Sequence, residues 1–300
     1  MTASRSTSLI GLVLAVATCA PAGNLVCTAG PGRTLQSPDV PESSGAAWSR
    51  DDPAVFWTMN DGRDGVLFAF DTTGAPVGRV ETTGSRLRDV EDLASGPCGD
   101  AVCLFLADIG DNRERRRTVS IYRLEEPNLP AQGSAVRVRF PARYPDGPVD
   151  AEAIIVDGSG DVYLISKGRS GPSTLYRHPG PWIPDSLVTL ERVQVLGGSG
   201  AAGTQDQITG ATWVPGSDLV LIRTYTRLTA WRLTEEGLEP VPDGALSLVS
   251  LLESQGEAVA AASLDRVLLT SESGPFRDRS GMHLLRCETP TDSTRAAPGN

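Results

Sequence analysis

Lysine is almost missing from this chain: Lys167 stands alone against 26 arginines, so wherever else a cation is needed the sequence supplies a guanidinium. Histidine is nearly as scarce, with only His178 and His283, and neither lies near a repeat start. No G-x-S-x-G turn is present either, so a Ser-His-Asp hydrolase has no obvious parts. The sequence has no C-x-x-C pair and no histidine-rich tract, which argues against zinc. Beyond the first 22 residues no stretch is long or apolar enough to cross a bilayer. Helical periodicity is weak after the first 22 residues. Positive charge is short overall: the net charge is −10. An acidic chain of this kind excludes nucleic acid as a partner and leaves cations, sugars and proteins open.

What is present begins with an export segment. Arg5 gives a short positive region, Leu9 to Ala17 is apolar, and small residues follow. That is the pattern of a signal peptide spanning residues 1–22, cut after Ala22. A second possibility is a lipoprotein leader of residues 1–18, with Cys19 as the lipidated residue. Export permits disulfides. Cys98 and Cys103 flank a Gly-Asp turn and are expected to close a small loop. Cys27 and Cys287 lie near opposite ends of the chain and are expected to staple them; free buried thiols are the alternative.

The remainder is short runs of Val, Leu, Ile, Tyr and Trp between Gly, Pro, Asp and Ser clusters, the signature of an all-β chain. A short segment recurs at spacings of 49, 61, 57 and 48 residues: Glu42-Ser-Ser-Gly, Glu91-Asp-Leu-Ala, Glu152-Ala-Ile-Ile, Thr209-Gly-Ala-Thr and Glu257-Ala-Val-Ala. Second and third apolar runs follow each start. Fourth runs are expected at Val77–Glu81, Ala135–Phe140, Leu187–Leu196 and Ala245–Leu252. Four short strands repeated about every 50 residues describe the blades of a propeller. The prediction is a five-bladed β-propeller over residues 24–288. The last unit lacks a fourth strand, and Asn24–Ala29 is expected to supply it, which would bring Cys27 beside Cys287. Gly197–Gly203 reads as an inter-blade loop and residues 289–300 as a disordered tail.

In a propeller the innermost strand of each blade lines a central channel, so equivalent positions form a ring. Strands within a blade are antiparallel, so the start of the first strand and the end of the second share one mouth. This gathers Glu42, Glu91, Glu152, Thr209 and Glu257, with Asp89, Asp92, Asp150 and Asp206 close by. It adds Asn60, Asp61, Asp108, Asp111, Asn112, Lys167, Arg223 and Glu272. Crowded carboxylates must be neutralised by protons, by cations or by basic neighbours, and Lys167 and Arg223 are the basic candidates. A lone lysine at the end of a second strand points to a compact ammonium being required there. The glutamates have three readings: hydrogen-bonding the backbone amides of neighbouring blades, holding a metal or ligand, or catalysis. The metal set would be Glu42, Glu91, Glu152 and Glu257. Asp108-Ile-Gly-Asp-Asn112 also groups oxygens that suit calcium, without EF-hand spacing. The arginines at 113, 115, 116 and 117 read as a solvated hairpin tip or as an anionic-partner contact.

The motif set resembles a family of secreted bacterial propeller proteins that carry no assigned activity. It comprises Glu42-Ser-Ser-Gly, Asn60-Asp61-Gly62, Val90-Glu91-Asp92, Ala107-Asp108-Ile-Gly-Asp-Asn112, Ala151-Glu152-Ala153, Ser166-Lys167, Thr209-Gly210-Ala211, Arg223-Thr224-Tyr225 and Gln255-Gly256-Glu257-Ala258. The likeness covers residues 42 to 287 and implies the propeller fold. It departs at Val90, where the pattern leads one to expect an aromatic. More distantly, the layout is similar to calcium-dependent propeller hydrolases, the regucalcin-type lactonases and propeller phytases; Asp51-Asp52-Pro53-Ala54 resembles a phytase segment.

Two functions follow as expectations. One is a binding or scaffold propeller, monomeric, taking a small polar ligand or a protein partner at the mouth or on its rims. The other is a hydrolase of lactones, phosphate esters or glycosides, with calcium as a candidate cofactor. Its catalytic candidates are Glu91, Glu152, Glu257 and Lys167, since glycosidases need two acids roughly 5–10 Å apart.

Overall fold

The computed structural model describes residues 25–197, 203–274 and 279–288. The leader, Cys19, the tail and most of the Gly197–Gly203 loop lie outside them. Among the described residues no helix is long and apolar enough to cross a membrane.

Five sheets, antiparallel through their blade strands, form five blades. Blade 1 comprises Ser43–Trp48, Val55–Asn60, Val66–Asp71 and Pro76–Thr83. Blade 2 comprises Asp92–Cys98, Ala101–Asp108, Val119–Glu125 and Val138–Arg143. Blade 3 comprises Ala151–Val156, Val162–Ser166, Ser173–Arg177 and Glu191–Gly197. Blade 4 comprises Ile208–Trp213, Leu219–Thr224, Arg227–Thr234 and Gly237–Ser247. Blade 5 comprises Gly256–Ser263, Arg266–Ser271 and Gly281–Glu288. Each innermost strand touches that of the next blade, and blade 5 returns to blade 1.

Period-two geometry explains why the strands read as unbroken apolar runs. In Val55–Asn60, Val55, Trp57 and Met59 face blade 2, packing with Leu93, Leu104 and Leu106. Phe56 points the other way, into a cluster with Ala258, Ala260 and Leu268 of blade 5. Three similar clusters fill the remaining inter-blade spaces. Both faces of a blade are therefore core.

The ring is closed by the N-terminal segment. Val26–Ala29 pairs antiparallel with Gly281–Glu288, with Cys27 opposite Cys287, and the two cysteines form a disulfide across 260 residues of chain. Closure covers the edge that blade 5 would otherwise expose. Cys98 and Cys103 form the second disulfide.

Three of the expected fourth strands are placed differently. The 135–140 run is split: Gln132–Val136 runs parallel to Pro76–Thr83 and extends blade 1, while Val138–Arg143 completes blade 2. Arg137 makes the corner between them. Its buried guanidinium donates to Thr82 Oγ1 at 2.6 Å and to Ser85 O at 2.7 Å. The 187–196 run divides likewise, with Val188–Thr189 added to blade 2 and Glu191–Gly197 completing blade 3, on either side of the buried Leu190. In blade 4 the outer strand is Gly237–Ser247, and 249–251 is a tight helical turn.

Candidate functional site

Strand register fixes which residues share the ring. In blade 3, Ala151 pairs with Ser166 and Ala153 with Ile165, leaving Glu152 as the extra residue of a bulge. In blade 4 the extra residue is Thr209, between Ile208 and Gly210. In blade 1 it is Ser44, between Ser43 and Gly45. Such bulges re-aim a side chain, and here they aim it at the channel mouth. Glu257 takes the same place in blade 5 and Glu91 in blade 2. Ser44 Oγ donates to Glu91 O at 2.6 Å, as Thr209 Oγ1 donates to Glu257 O at 3.0 Å. The ring is thus Ser44, Glu91, Glu152, Thr209 and Glu257. Glu42, expected in it, lies two residues earlier, exposed at the rim, with its N–H bonded to Asn60 Oδ1.

One residue further along each inner strand stand Gly45, Asp92, Ala153, Gly210 and Ala258. Small side chains are required because the neighbouring backbone fills the space. A Cβ on Gly45 would sit 2.4 Å from Leu93 N, and one on Gly210 2.8 Å from Glu257 O. Asp92 is the exception, and it is wholly buried. Its oxygens accept from Leu93 N at 2.8 Å and Ile154 N at 2.9 Å, and the Ala211 amide joins them. The backbone-tying role foreseen for the glutamates belongs to Asp92, which links blades 2, 3 and 4.

The glutamates themselves accept no backbone N–H among the described residues. Glu152 Oε1 lies 2.6 Å from Lys167 Nζ in a buried ion pair. Burial works against the Lys167 ammonium, yet Glu152 outweighs it and holds the lysine above its ordinary range. Burial pushes the Glu152 carboxyl up, with Lys167 pulling the other way. Burial, then the charge of Glu257, raises the Tyr225 hydroxyl to about 12, with nearby Lys167 pulling it down. Glu257 Oε1 accepts from Gln255 Nε2 at 2.6 Å, and the same amide reaches Glu272 Oε1 at 2.8 Å. Burial, then Glu257, Glu42 and Asp61, takes the Glu272 carboxyl up to about 7.

Glu91 is different. It is 5% exposed, and its carboxylate accepts no hydrogen bond among the described residues. Burial, then the charges of Glu152, Asp61 and Asp89, lifts it well above the carboxylate range. Ligand oxygens of Asp61, Asp89 and Glu91 all lie within 4.8 Å of one another. Burial, then Asp89 and Glu42, pushes Asp61 up to about 6. Gly110 packs directly on this group: a Cβ there would fall 1.9 Å from Glu91 Oε1 and 2.8 Å from Asp89 Oδ2.

Several expected site residues face elsewhere. Arg223 is fully buried and donates to Ala258 O at 2.6 Å and Thr270 O at 2.8 Å, with its ion pair to Glu253. It braces blades 4 and 5 beneath the mouth instead of lining it. Asp108 accepts from the amides of Arg88 and Asp89 and pairs with Arg116 at 2.7 Å. Asp111 accepts from Arg116 N. Both carboxylate oxygens of Asp108 and one of Asp111 are thus bound to protein donors. They hold the backbone that carries Asp89. Asp150 accepts from Asp111 N and Arg169 Nε, Asn112 Oδ1 accepts from Arg169 Nη2, and Asp206 lies exposed on a short turn. Of the arginine run, Arg116 is anchored under the mouth while Arg113, Arg115 and Arg117 are exposed.

Of the four-glutamate metal set, only Glu91 joins the oxygen cluster. Asp61 and Asp89 replace the others, because Glu152 is paired with Lys167 and Glu257 with Gln255. Ser44, Gly110 and Tyr225 were not singled out from the sequence, although all three lie inside the motifs quoted above.

No protein-family model matches the chain, and no curated protein matches it at a significant level. Solved structures do resemble it. The PQQ-bound form of aldose sugar dehydrogenase from Streptomyces coelicolor is 12% identical, with a TM-score of 0.52, over 90% of this chain and all of that one. The major allergen Mala s 1 of Malassezia sympodialis is 12% identical, with a TM-score of 0.55, over 85% of this chain and 95% of that one. At such identity the likeness concerns the fold.

Proposed function

We propose that this chain is an exported β-propeller that binds a small polar ligand at one channel mouth through a divalent cation. The observation that carries the reading is Glu91. A carboxylate with little exposure and no protein hydrogen-bond donor, set beside Asp61 and Asp89, has only the more distant charge of Lys167 to compensate its burial. A cation supplies the rest. An all-carboxylate donor set suits a hard ion, calcium above all. Asp61, Asp89 and Glu91 would hold it, and it would supply a positive centre for a ligand oxygen. Lys167 and Tyr225, on the same mouth, offer N–H and O–H donors to the rest of the ligand. Both disulfides accord with export, as does the resemblance of the motif set to secreted propellers. The mouth does not suit a planar polyanion such as the PQQ of the Streptomyces enzyme. Acids exceed cations in it, so a group carrying several negative charges is repelled.

Calorimetric titration of the metal-free protein with Ca²⁺ tests this. Saturable binding of one ion is expected, abolished or weakened at least tenfold in Glu91→Gln and in Asp61→Asn. Absence of binding, or binding indifferent to both variants, removes the reading.

A second reading, a calcium-dependent hydrolase, is favoured by the mutual repulsion of Glu91 and Glu152. Two interacting acids with raised affinity for a proton can divide general-acid and general-base roles. Turnover of lactone, phosphate-ester or glycoside substrates, lost in folded Glu152→Gln and Glu257→Gln variants, would establish it.

A further inference from the structure

The seam where the ring closes encloses a cavity of about 500 Å³ on the side of the molecule away from the acidic mouth. Its position follows from the strands. Trp48 ends the inner strand of blade 1, whose start is at the mouth, and Arg266 begins the second strand of blade 5, whose end is there. The walls come from four parts of the chain: the N-terminal segment from Thr28 to Arg33, the third strand of blade 5 at Leu284 to Arg286, Asp265 and Arg266 at the start of its second strand, and Trp48 with Thr72 of blade 1. The volume lies within the roughly 300–1,000 Å³ typical of small-molecule sites.

Its chemistry reverses that of the protein as a whole. In a chain of net charge −10, this cavity carries Arg33, Arg266 and Arg286 and a single acid, Asp265. Asp265 accepts from the Ser263 hydroxyl. No arginine of the three forms an ion pair among the described residues; Arg33 donates to Thr72 O, and the Arg266 guanidinium lies 4.8 Å from the Trp48 ring centroid. Leu284 and Leu285 supply apolar wall between them. Guanidiniums without carboxylate partners, arranged around an indole and leucines, match one kind of guest: a flat apolar body bearing one negative group.

We propose that this seam cavity binds a small aromatic or apolar monoanion, a carboxylate or sulfonate, with the anionic group held by Arg286 and by Arg266, whose guanidinium Trp48 backs, and the body against Leu284. Because the walls belong to the N-terminal segment, blade 5 and blade 1 together, the site exists only in the closed ring. Occupancy therefore stabilises closure by mass action. This does not depend on the cation reading of the mouth, and the two can fail separately.

The probe is 8-anilinonaphthalene-1-sulfonate, an aromatic monoanion, titrated into the native protein by fluorescence and calorimetry. Saturable binding of one molecule is expected, with an increase in Tm, since a dye that seeks unfolded surface lowers Tm instead. Arg286→Glu, a change at an exposed side chain, should weaken binding at least tenfold, and Arg286→Lys should restore most of it. The uncharged N-phenyl-1-naphthylamine should bind at least tenfold less well. Glu91→Gln at the mouth should leave dye binding unchanged. No binding, equal affinity for the uncharged dye, a fall in Tm, or affinity unaltered in both Arg286→Glu and Arg266→Ala would each overturn the proposal.

Discussion

A β-carbon on Gly110 would lie 1.9 Å from Glu91 Oε1, so the glycine of the Asp-Ile-Gly-Asp-Asn segment is the wall against which the unpartnered carboxylate rests. Its backbone is not in the left-handed region, so the requirement is one of space alone. Gly110→Ala should therefore displace Glu91 and Asp89 while costing about 1–3 kcal/mol in stability, the usual price of overpacking. Ca²⁺ affinity is expected to fall at least tenfold with the far-ultraviolet spectrum unchanged. Calorimetry beside a denaturant melt reads both.

Lys167 and Glu152 are predicted to depend on each other more than either depends on the fold. Removing one partner of a buried pair leaves an uncompensated charge and costs about 3 kcal/mol. Lys167→Met should show that loss at pH 8 and a smaller loss at pH 6, where Glu152, already raised by burial, takes up a proton. The double variant Lys167→Met/Glu152→Gln should recover most of it. Urea melts of the four proteins at the two pH values form the cycle.

Much of the architecture was legible because both faces of the inner blade strands are buried, which makes the repeat a period of apolar runs. The outer strands were harder. Gln132–Val136 and Val188–Thr189 join the blade before their own by parallel pairing, and no periodicity marks that choice. At the site, the glutamate starts misplaced blade 1: Glu42 begins a motif that looks like the others. The matching feature was Ser44-Gly45-Ala46 against Thr209-Gly210-Ala211, because the glycine is where the next blade's backbone sits. Asp92 looked like one more mouth acid. Only the fold shows it one residue deeper, where the other blades have glycine or alanine. Arg223 misled for a related reason: a strand end points either to the channel or to the next blade, and its guanidinium takes the second course.

The raised carboxyls of the mouth give a pH dependence with a definite sign. Asp61 titrates at about 6 and Glu272 at about 7 in the folded protein, both above their unfolded values. The folded state thus holds more protons between pH 4 and 7, and stability falls as pH rises through that window. His178 acts oppositely: burial lowers it to about 4, so its contribution is lost as pH falls below its unfolded value near 6.5. A comparison with and without Ca²⁺ cancels His178, which lies in blade 3's outer region away from the mouth motifs. The gain from Ca²⁺ should grow between pH 5 and 8 by on the order of 1 kcal/mol after allowance for solvent screening. Scanning calorimetry in EDTA and in Ca²⁺ would show a constant gap if the carboxyls were not the ligands.

The two disulfides should differ sharply in what they contribute. Cys27–Cys287 spans 260 residues and Cys98–Cys103 spans 5. By the chain-entropy account the long bridge is worth on the order of 5 kcal/mol and the short one about 2. The long bridge also fixes Val26–Ala29 to the edge of blade 5, so its loss frees the longer of the two N-terminal strands that pair there among the described residues, the other being Arg33–Thr34. Cys27→Ser/Cys287→Ser is expected to lower Tm by about 10 °C, since about 1 kcal/mol moves Tm by roughly 2–4 °C at this size. Cys98→Ser/Cys103→Ser should lower it by less than half as much. Hydrogen exchange separates closure from general loosening. Amides of 281–288 should lose protection first in the Cys27/Cys287 variant, while those of blade 3 keep theirs. Equal losses in the two variants, or uniform deprotection across the blades, would mean that the ring is held by its inter-blade cores alone and that the N-terminal strand is incidental to it.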